Sequence, residues 1–304
     1  MQKQVYQFKT ISEYHRILGL PEPDHPLISV IDISDIPRGD VVPPVTMVYD
    51  FYNISLKRSP DVRYRYGQQE CDFDKGLLFF MAPGQVFGLD ATHDLSTISG
   101  WMLLIHPDLL WHTTLATHIK QYDFFDYEIN EALFLAPREE EKVVSILRNI
   151  RQEYQSNIDT YSQDIIIAEL ELLLACSERY YNRQFITRKK VNHEVLGRLE
   201  VLLNDYFDHK QLATNGLPTV QYISDRLGIS PGYLRNLLKT LTGLNTQQHI
   251  HEKLIDKAKQ QLSTTDLSVS EIAYMLGFEH PQSFSKLFKS KTNLSPLEFR
   301  ASFN

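Results

Sequence analysis

The chain has 304 residues, enough for two domains that each bury a hydrophobic core of their own. It carries 31 Lys and Arg against 38 Asp and Glu, which gives a net charge of −7. No apolar run approaches a membrane span, and the first residues lack the apolar stretch of a secretory signal. Two cysteines are too few for a disulfide framework or a cysteine metal cluster. We therefore expect a cytoplasmic protein with no membrane segment.

The charge is divided unevenly along the chain. Residues 188–304 hold 15 Lys or Arg against 11 Asp or Glu, a net charge of +4, whereas residues 1–187 hold 16 against 27, a net charge of −11. Affinity for phosphate groups is therefore expected in the C-terminal part, while the N-terminal part should repel DNA. An excess of +4 is modest, so non-specific DNA binding should be weak and sensitive to salt.

Short strand patterns separated by Pro and Gly turns dominate the chain up to His106. A short helix from Thr10 to Leu20 precedes them. The pattern favours a small β-sandwich or barrel. The predicted strands cover residues 27–33, 46–56, 62–66, 77–81, 86–89 and 99–105.

Helical patterns follow the strands. A short helix is predicted over 107–115, and long helices over 137–156 and 163–185. We expect the two long helices to contribute to a homodimer. The basic, low-apolar segment 179–190 is interpreted as a linker, and an amphipathic helix over 193–206 opens the C-terminal part. One apolar stripe along the second long helix is interpreted as part core and part dimer seam: Ile166, Leu170, Leu173, Leu174 and Ser177.

The C-terminal part contains the same pattern twice. Ile223 stands four residues before Leu227, a glycine follows at once, and the second copy repeats this at Ile272 and Leu276. Equivalent residues differ by 49 before the turn and by 50 after it, so one residue has been added in the second turn, before Pro281. A spacing that changes only at a turn predicts two copies of a helix-turn-helix.

The second helix of each copy begins at a proline and carries a polar, partly basic face. Such a helix fits the DNA major groove and offers donors to base edges and phosphates. Two ordinary helical hairpins with solvated basic faces are the alternative, which a single copy would favour. Two copies in register favour nucleic-acid recognition. The polar face consists of Arg235, Asn236 and Lys239 in the first copy, and Gln282, Lys286 and Lys289 in the second.

About the last 85 residues carry a family resemblance. Ala258 and Leu262 lie in the helix that links the two copies, and Leu-Gly-Phe occupies 276–278. The chain then ends in Leu-Ser-Pro at 294–296 and Phe-Arg at 299–300. This arrangement resembles the AraC family of transcription regulators.

The resemblance implies that both second helices contact DNA. Arg235 has the fork geometry for guanine, and Asn236 or Gln282 the amide geometry for adenine. Gly232 departs from the bulky residue often present at its position. The residues implied at base edges are Gly232, Arg235, Asn236, Gln282, Ser283 and Lys286, and those suited to phosphates are Lys239, Lys289 and Lys291.

The N-terminal part resembles, more loosely, the cupin-like sensor domain common in AraC-type regulators. This resemblance lies in Tyr66-Gly67, the segment 76–85, Gly100-Trp101 and the segment 106–110. Many cupins are metalloenzymes with a His-x-His pair, but here His93 and His106 stand alone on different segments. We therefore expect no metal, no cofactor and no enzymatic activity. A cupin-type metalloenzyme and a protein–protein adaptor with a helical appendage are the alternatives.

An apolar pocket for a small-molecule effector is the favoured role of the N-terminal part. Each candidate residue taken alone is more simply explained as core. The candidates are Tyr49, Phe51, Tyr64, Tyr66, Phe79, Phe87 and Trp101.

The predicted architecture is α+β with two domains. Residues 1–187 would form a cupin-like β-sandwich or barrel with a helical pair, and residues 188–304 an all-α domain with helix-turn-helix motifs over about 219–241 and 268–291. The predicted function is that of a transcription regulator that reads a bipartite site in double-stranded DNA. A small-molecule effector, a second copy of the chain and, for an activator, RNA polymerase would be its further partners.

Overall fold

The computed structural model describes residues 5–37, 45–58, 65–66, 69–70, 76–89, 99–128, 131–156, 159–208, 212 and 215–302. The chain separates into two compact units, Met1–Gln184 and Phe185–Asn304. The first unit mixes strands and helices, and the second is helical where it is described. Among the described residues, no helix is both long enough and apolar enough to cross a membrane.

The first unit contains two larger sheets and a two-stranded pair. The five-stranded sheet has the order β10-β7-β4-β9-β2 with all neighbours antiparallel, and the three-stranded sheet has the order β1-β3-β8 with β1 and β3 parallel. The strands are β1 Val5–Phe8, β2 Ile28–Asp32, β3 Val45–Tyr49, β4 Tyr52–Arg58, β5 Arg65–Tyr66, β6 Gln69–Glu70, β7 Leu77–Met81, β8 Val86–Leu89, β9 Ser99–Ile105 and β10 Leu133–Phe134.

Both faces of the five-stranded sheet are covered. On one face Met102 and Leu104 share a hydrophobic core with Tyr49 of the three-stranded sheet. On the other face the Phe80 ring packs against Phe124, tilted by 48° and with 4.3 Å between ring centroids, and its centroid lies 6.3 Å from that of Tyr181. Mixed sheets and helices are therefore confirmed for the first unit, and the strands predicted at 77–81, 86–89 and 99–105 are confirmed with the same limits.

The strand predicted over 46–56 is in fact two strands. The chain leaves β3 at Tyr49 and enters β4 at Tyr52, which belongs to the other sheet. Asp50 and Phe51 make the passage, and the Asp50 backbone N–H donates to the carbonyl of Phe8 at 2.9 Å. The residues on both sides are buried, so their hydrophobicity shows no break where the strand changes sheet.

The helices of the first unit are α1 Ile11–Ile17, α2 Leu115–His118, α3 Pro137–Gln155 and α4 Ser162–Thr187. The helix predicted over 107–115 is a 3₁₀ turn at Pro107–Leu110 followed by α2. Arg183 of α4 donates to the Glu139 carboxylate of α3 and to the Phe134 carbonyl, each at 2.6 Å. The two long helices are therefore tied together near the start of α3.

The predicted linker at 179–190 contains the boundary between the two units, but the segment is helical. Helix α4 continues to Thr187, and the next helix, α5 at Lys189–Asp208, begins after Arg188 alone. Tyr181, Gln184 and Phe185 are buried along this stretch. Composition alone suggested a linker because the basic residues conceal the buried residues that alternate with them along the helix.

The five-residue stripe on α4 is entirely core. Ile166, Leu170, Leu173, Leu174 and Ser177 are each no more than 2% exposed within the single chain. Their assignment as part of a dimer seam is therefore wrong, because a surface that the chain already covers offers nothing to a partner.

The second unit is built around one hydrophobic core. Its side chains come from both predicted motifs and from the helix between them, with Leu234, Ile250, Ile272 and Phe284 fully buried. The helices are α5, α6 Val220–Leu227, α7 Pro231–Thr242, α8 Thr246–Thr264, α9 Val269–Met275, α10 Pro281–Thr292 and α11 Pro296–Ala301.

Candidate nucleic-acid interface

The first helix-turn-helix consists of α6 and α7. The Thr219 hydroxyl accepts from the Tyr222 N–H at 3.1 Å and caps α6. Helix α6 ends at Gly228, whose backbone has a φ of +70°. Glycine adopts this left-handed conformation at little energetic cost because it has no Cβ. The Ser230 hydroxyl then accepts from the Tyr233 N–H at 3.2 Å and caps α7, which has proline in its first turn.

The second helix-turn-helix consists of α9 and α10. Ser268 and Glu271 cap α9 reciprocally, with N–H donors at 3.2 and 2.7 Å. The turn contains Gly277 at a φ of +80°. His280 stands at the cap of α10 but makes no side-chain capping hydrogen bond. The two copies therefore share a fold and differ at the start of the second helix.

The second helices of the two copies end in the same way. Gly243 after α7 and Asn293 after α10 both take left-handed backbone, with φ of +77° and +63°. One residue earlier, the hydroxyls of Thr242 and Thr292 each donate to the carbonyl four residues back at 2.8 Å. A hydrogen-bonding pattern repeated 50 residues apart shows that the two copies are structurally equivalent.

Helix α8 separates the two motifs. Its 19 residues give a length of about 28 Å at 1.5 Å per residue. Arg300 of α11 donates to the carbonyl of Leu262 at 3.2 Å and to that of Leu267 at 2.6 Å. The last helix of the unit thus holds the end of α8 and the start of the second motif together.

Helix α7 presents part of its predicted DNA face. Arg235 and Lys239 are exposed, whereas Gly232 and Asn236 are half-buried. Their neighbour Tyr233 is buried, with its ring edge-on to Phe185 at 5.0 Å between centroids. The face of α7 is therefore open along one side and covered along the other.

Helix α10 presents all of its predicted DNA face. Gln282, Ser283, Lys286 and Lys289 are exposed, and Phe284 and Phe288 anchor the opposite side in the core. Lys291 in the last turn is exposed as well. The positive charge of this face comes from Lys286, Lys289 and Lys291.

Comparison with known proteins agrees with this geometry. Residues 223–302 match the family model described as "Helix-turn-helix domain". The HTH-type transcriptional activator RhaS of Escherichia coli O1:K1 / APEC is 29% identical over 165 residues, 51% of this chain and 55% of that protein. Histidine kinase P4 of Formosa agariphila is 29% identical over 115 residues, 38% of this chain and 8% of the kinase.

One solved structure of similar sequence is the C-terminal domain of the two-component response regulator YesN from Fusobacterium nucleatum. It is 28% identical, covers 35% of this chain and 98% of that domain, and has a TM-score of 0.31. The second unit contains the helix-turn-helix domain that this family model describes. The chain spans about half the length of RhaS and a small part of the kinase, so no whole-protein activity is transferred from either.

Two of the effector candidates in the first unit do not share a pocket. Phe79 lies opposite Ser55 in the sheet, whereas Trp101 lies opposite Leu56, the next residue of the same strand. Side chains of successive strand residues point to opposite faces, so Phe79 and Trp101 are on different sides of the sheet. Trp101 instead lies 5.7 Å under the guanidinium of Arg148.

The remaining effector candidates divide between core and undescribed positions. Tyr49 and Phe51 are buried in the core with Tyr14, and the Tyr49 hydroxyl donates to the Met47 sulfur at 3.2 Å. Burial of that hydroxyl raises the pKa of Tyr49. Tyr64 lies outside the described residues, as do the side chains of Tyr66 and Phe87. Phe79 and Trp101 therefore do not line the same pocket, and an effector site among the other candidates stays a prediction.

The described residues contain no group of three or more His, Cys, Asp or Glu side chains placed to hold a metal ion. His106 accepts from the Asp108 N–H at 3.3 Å and caps the 3₁₀ turn. His93 lies outside the described residues.

Sequence reasoning missed the packing of three residues that shape the helix-turn-helix domain. Tyr233 is buried although it lies on the predicted recognition helix, and its spacing of four from Leu237 was the available signal. Arg300 belongs to the quoted ending, but its bonds to two carbonyls have no sequence signature. Gly277 was expected only as a turn residue, and its packing became visible in the fold.

Proposed function

We propose that this protein is a sequence-specific transcription regulator that reads a bipartite site in double-stranded DNA with α7 and α10. The observation that carries the proposal is the pair of equivalent helix-turn-helix motifs in one core, each with an exposed polar and basic second helix. A separation near 28 Å along α8 suits entry into neighbouring turns of the major groove on one side of a duplex.

Within this proposal, Arg235 forms hydrogen bonds with the edge of a base, and the lysines of α10 contact phosphates and base edges. Arg235 lies in the second turn of α7 with its side chain exposed, and a guanidinium forks onto guanine. Lys286 and Lys289 lie on consecutive turns of the exposed α10 face. The N–H groups at the start of α10 lack the side-chain cap that Ser230 gives α7, so a phosphate oxygen can take that place.

The test compares Arg235→Ala with Arg138→Ala in the full-length chain. Arg138 is an exposed residue of α3 in the other unit, so its loss removes the same charge away from the proposed interface. Loss of Arg235 should weaken binding to a selected site by about 1–3 kcal/mol and relax the preference at one base pair. The measurement is fluorescence anisotropy on the selected duplex and on single-base variants. An equal loss on every duplex would make Arg235 a phosphate contact and contradict base readout.

Lys289→Ala provides the complementary test. A phosphate contact should weaken binding to all sequences alike and reduce the slope of log affinity against log salt by about 0.9. An unchanged salt slope would remove Lys289 from the interface.

A second copy of the chain is proposed to pack on the outer face of α4. Ile165, Ala168, Leu172 and Ala175 are exposed there and follow a three-four-three spacing, with Ile165 46% and Leu172 40% exposed. Leu172→Asp should give a monomer by analytical ultracentrifugation, while Val201→Asp, at an exposed position of α5, should leave the dimer intact. A wild-type chain that is monomeric at micromolar concentration would contradict this dimer.

A small-molecule effector and RNA polymerase complete the proposed set of partners. The effector would act through the first unit and change the affinity of the second unit for DNA. Transcription reactions with the full-length chain, a selected site upstream of a promoter, and candidate metabolites measure both effects. A transcript level that never changes with added protein would contradict regulation.

A further inference from the structure

The two motif turns differ in what surrounds their glycines. Gly228 and Gly277 are equivalent by sequence and adopt similar backbone, with φ of +70° and +80°. A Cβ at Gly228 would meet nothing within 4 Å. A Cβ at Gly277 would lie 2.7 Å from the Leu212 carbonyl oxygen and 3.0 Å from the Cα of Gly216. The second turn is therefore packed backbone against backbone, and the first is open.

The segment under Gly277 precedes the first motif in the chain and is held against it. The Gly216 N–H donates to the Leu212 carbonyl at 3.0 Å, and the Tyr206 hydroxyl donates to the Gly216 carbonyl at 3.0 Å. The Tyr206 ring packs edge-on to Tyr222 of α6 at 5.3 Å between centroids. The turn of the second motif thus rests on residues that are fixed to the first helix of the first motif.

The two motifs are consequently joined along the chain, through their shared hydrophobic core, and through the contact at Gly277. Helix α8 connects them along the chain, and the Gly277 contact connects them through space. Apolar side chains in the shared core can repack when one motif shifts slightly, whereas backbone atoms in contact cannot, so the Gly277 contact limits rotation of the second motif about α8. Since each base pair adds about 3.4 Å and about a tenth of a turn, the relative position of the two second helices decides which spacing of half-sites is read.

We propose that Gly277 is a positioning residue that sets the separation and rotation of α7 and α10, so that the protein reads half-sites at one spacing. The inference depends on the proposed function, since it concerns how the two second helices share one DNA site. Any side chain at position 277 must push the second turn away from Leu212 and Gly216, because the atoms that it meets are backbone.

The experiment measures affinity of the full-length chain for duplexes in which the two half-sites are moved apart or together one base pair at a time. Wild-type protein should prefer one spacing over its neighbours by about tenfold, equivalent to about 1.4 kcal/mol. Gly277→Ala should flatten or shift this profile of affinity against half-site spacing. Gly228→Ala is the matched control, because it introduces the same strained φ without a clash, and it should keep the wild-type profile. Each profile compares affinities of one protein preparation for different duplexes. Any unfolded fraction of that preparation lowers all of these affinities by the same factor and cancels in their ratio.

Two further variants keep the inference falsifiable if Gly277→Ala fails to fold. Tyr206→Phe removes the hydroxyl that holds the Gly216 carbonyl and should broaden the profile. Gly197→Ala, at an exposed position of α5 where a Cβ meets nothing within 4 Å, is its control and should leave the profile unchanged. A flat wild-type profile, or equal profiles for wild type, Gly277→Ala and Tyr206→Phe, would overturn the inference. Absence of any sequence-preferring DNA binding by wild type would instead overturn the proposed function.

Discussion

The two helix-turn-helix copies are alike in their cores and in the C-terminal ends of their second helices, and different in their turns, second-helix starts and outer faces. Leu234 and Phe284 occupy equivalent buried positions, and both second helices end in the same threonine bond and left-handed residue. The second turn, however, has one more residue and is packed at Gly277, where the first is open at Gly228.

The difference shows which parts of a duplicated motif are free to change. Core positions must keep apolar side chains at helical spacing, because a polar group there would be buried without a partner. The outer faces meet no such requirement, so α7 carries Arg235 and Asn236 while α10 carries Gln282 and Lys286. Equal folds with unequal faces suit a protein whose two half-sites differ in sequence.

The largest expected effect comes from the shared core. Phe284→Ala should lower the free energy of unfolding by about 3–5 kcal/mol, because a fully buried ring leaves a cavity. Since the core side chains of both copies form one cluster, the second unit should lose stability as a whole. Hydrogen exchange of α7 and α10 in the same sample measures this. Protection lost in α10 but kept in α7 would show that the copies unfold separately.

The ends of the second helices offer a smaller test. Gly243→Ala should cost about 1–2 kcal/mol, because alanine is strained at a φ of +77°. Asn293→Ala should cost less than Gly243→Ala, since the wild-type asparagine already bears part of that strain at +63°. Denaturant unfolding of the two variants gives the comparison. A larger loss for Asn293→Ala would mean that its side chain has a further role.

The helix starts should respond differently to removal of the cap residue. Ser230→Ala should cost about 1 kcal/mol, because the Tyr233 N–H loses its hydroxyl partner. His280→Ala should be close to neutral, since His280 makes no side-chain cap bond. Thermal unfolding measures both, and equal costs would contradict the difference in capping.

The smallest expected effect is a pH dependence confined to the second copy and the last helix. Hydrogen bonds from Ser268 lower the pKa of Glu271, and those from Ser295 lower the pKa of Glu298. A carboxyl group whose pKa is lower in the folded than in the unfolded state stabilises the fold at pH values above its unfolded pKa. This stabilisation is lost as the pH falls through the pKa of the folded state. The first copy has Tyr222 where Glu271 stands in the second. Acidification below about pH 5 should therefore increase exchange in α9 before α6, and Glu271→Gln should abolish the difference.

Much of the helical unit was predictable because its signals are local. Glycine after an apolar pair, proline at a helix start and repeated spacing predict each turn without knowledge of the rest of the chain. The inserted residue was visible as a change of offset from 49 to 50. The packing of Gly277 on Leu212 and Gly216 was not visible, because it joins residues more than 60 positions apart through backbone atoms.

The first unit was less predictable where the role of a residue depends on which face of a sheet or helix carries its side chain. Phe79 and Trp101 look alike in sequence, but the sheet register places them on opposite faces. The basic segment around Arg179 looked like a linker, although its buried residues Tyr181 and Phe185 are four apart on one helix. In both cases the composition gave the polarity of the segment but not the face of the sheet or helix on which each side chain lies.

The central claim is that one chain reads DNA with both second helices, and selection of bound duplexes from a random pool tests it most directly. Wild-type protein should select two different sequence blocks whose centres lie about one helical turn, or 10 base pairs, apart. Arg235→Ala should lose a base preference in one block only, and Lys286→Ala in the other only. A single selected block, or substitutions that weaken both blocks equally, would contradict the claim.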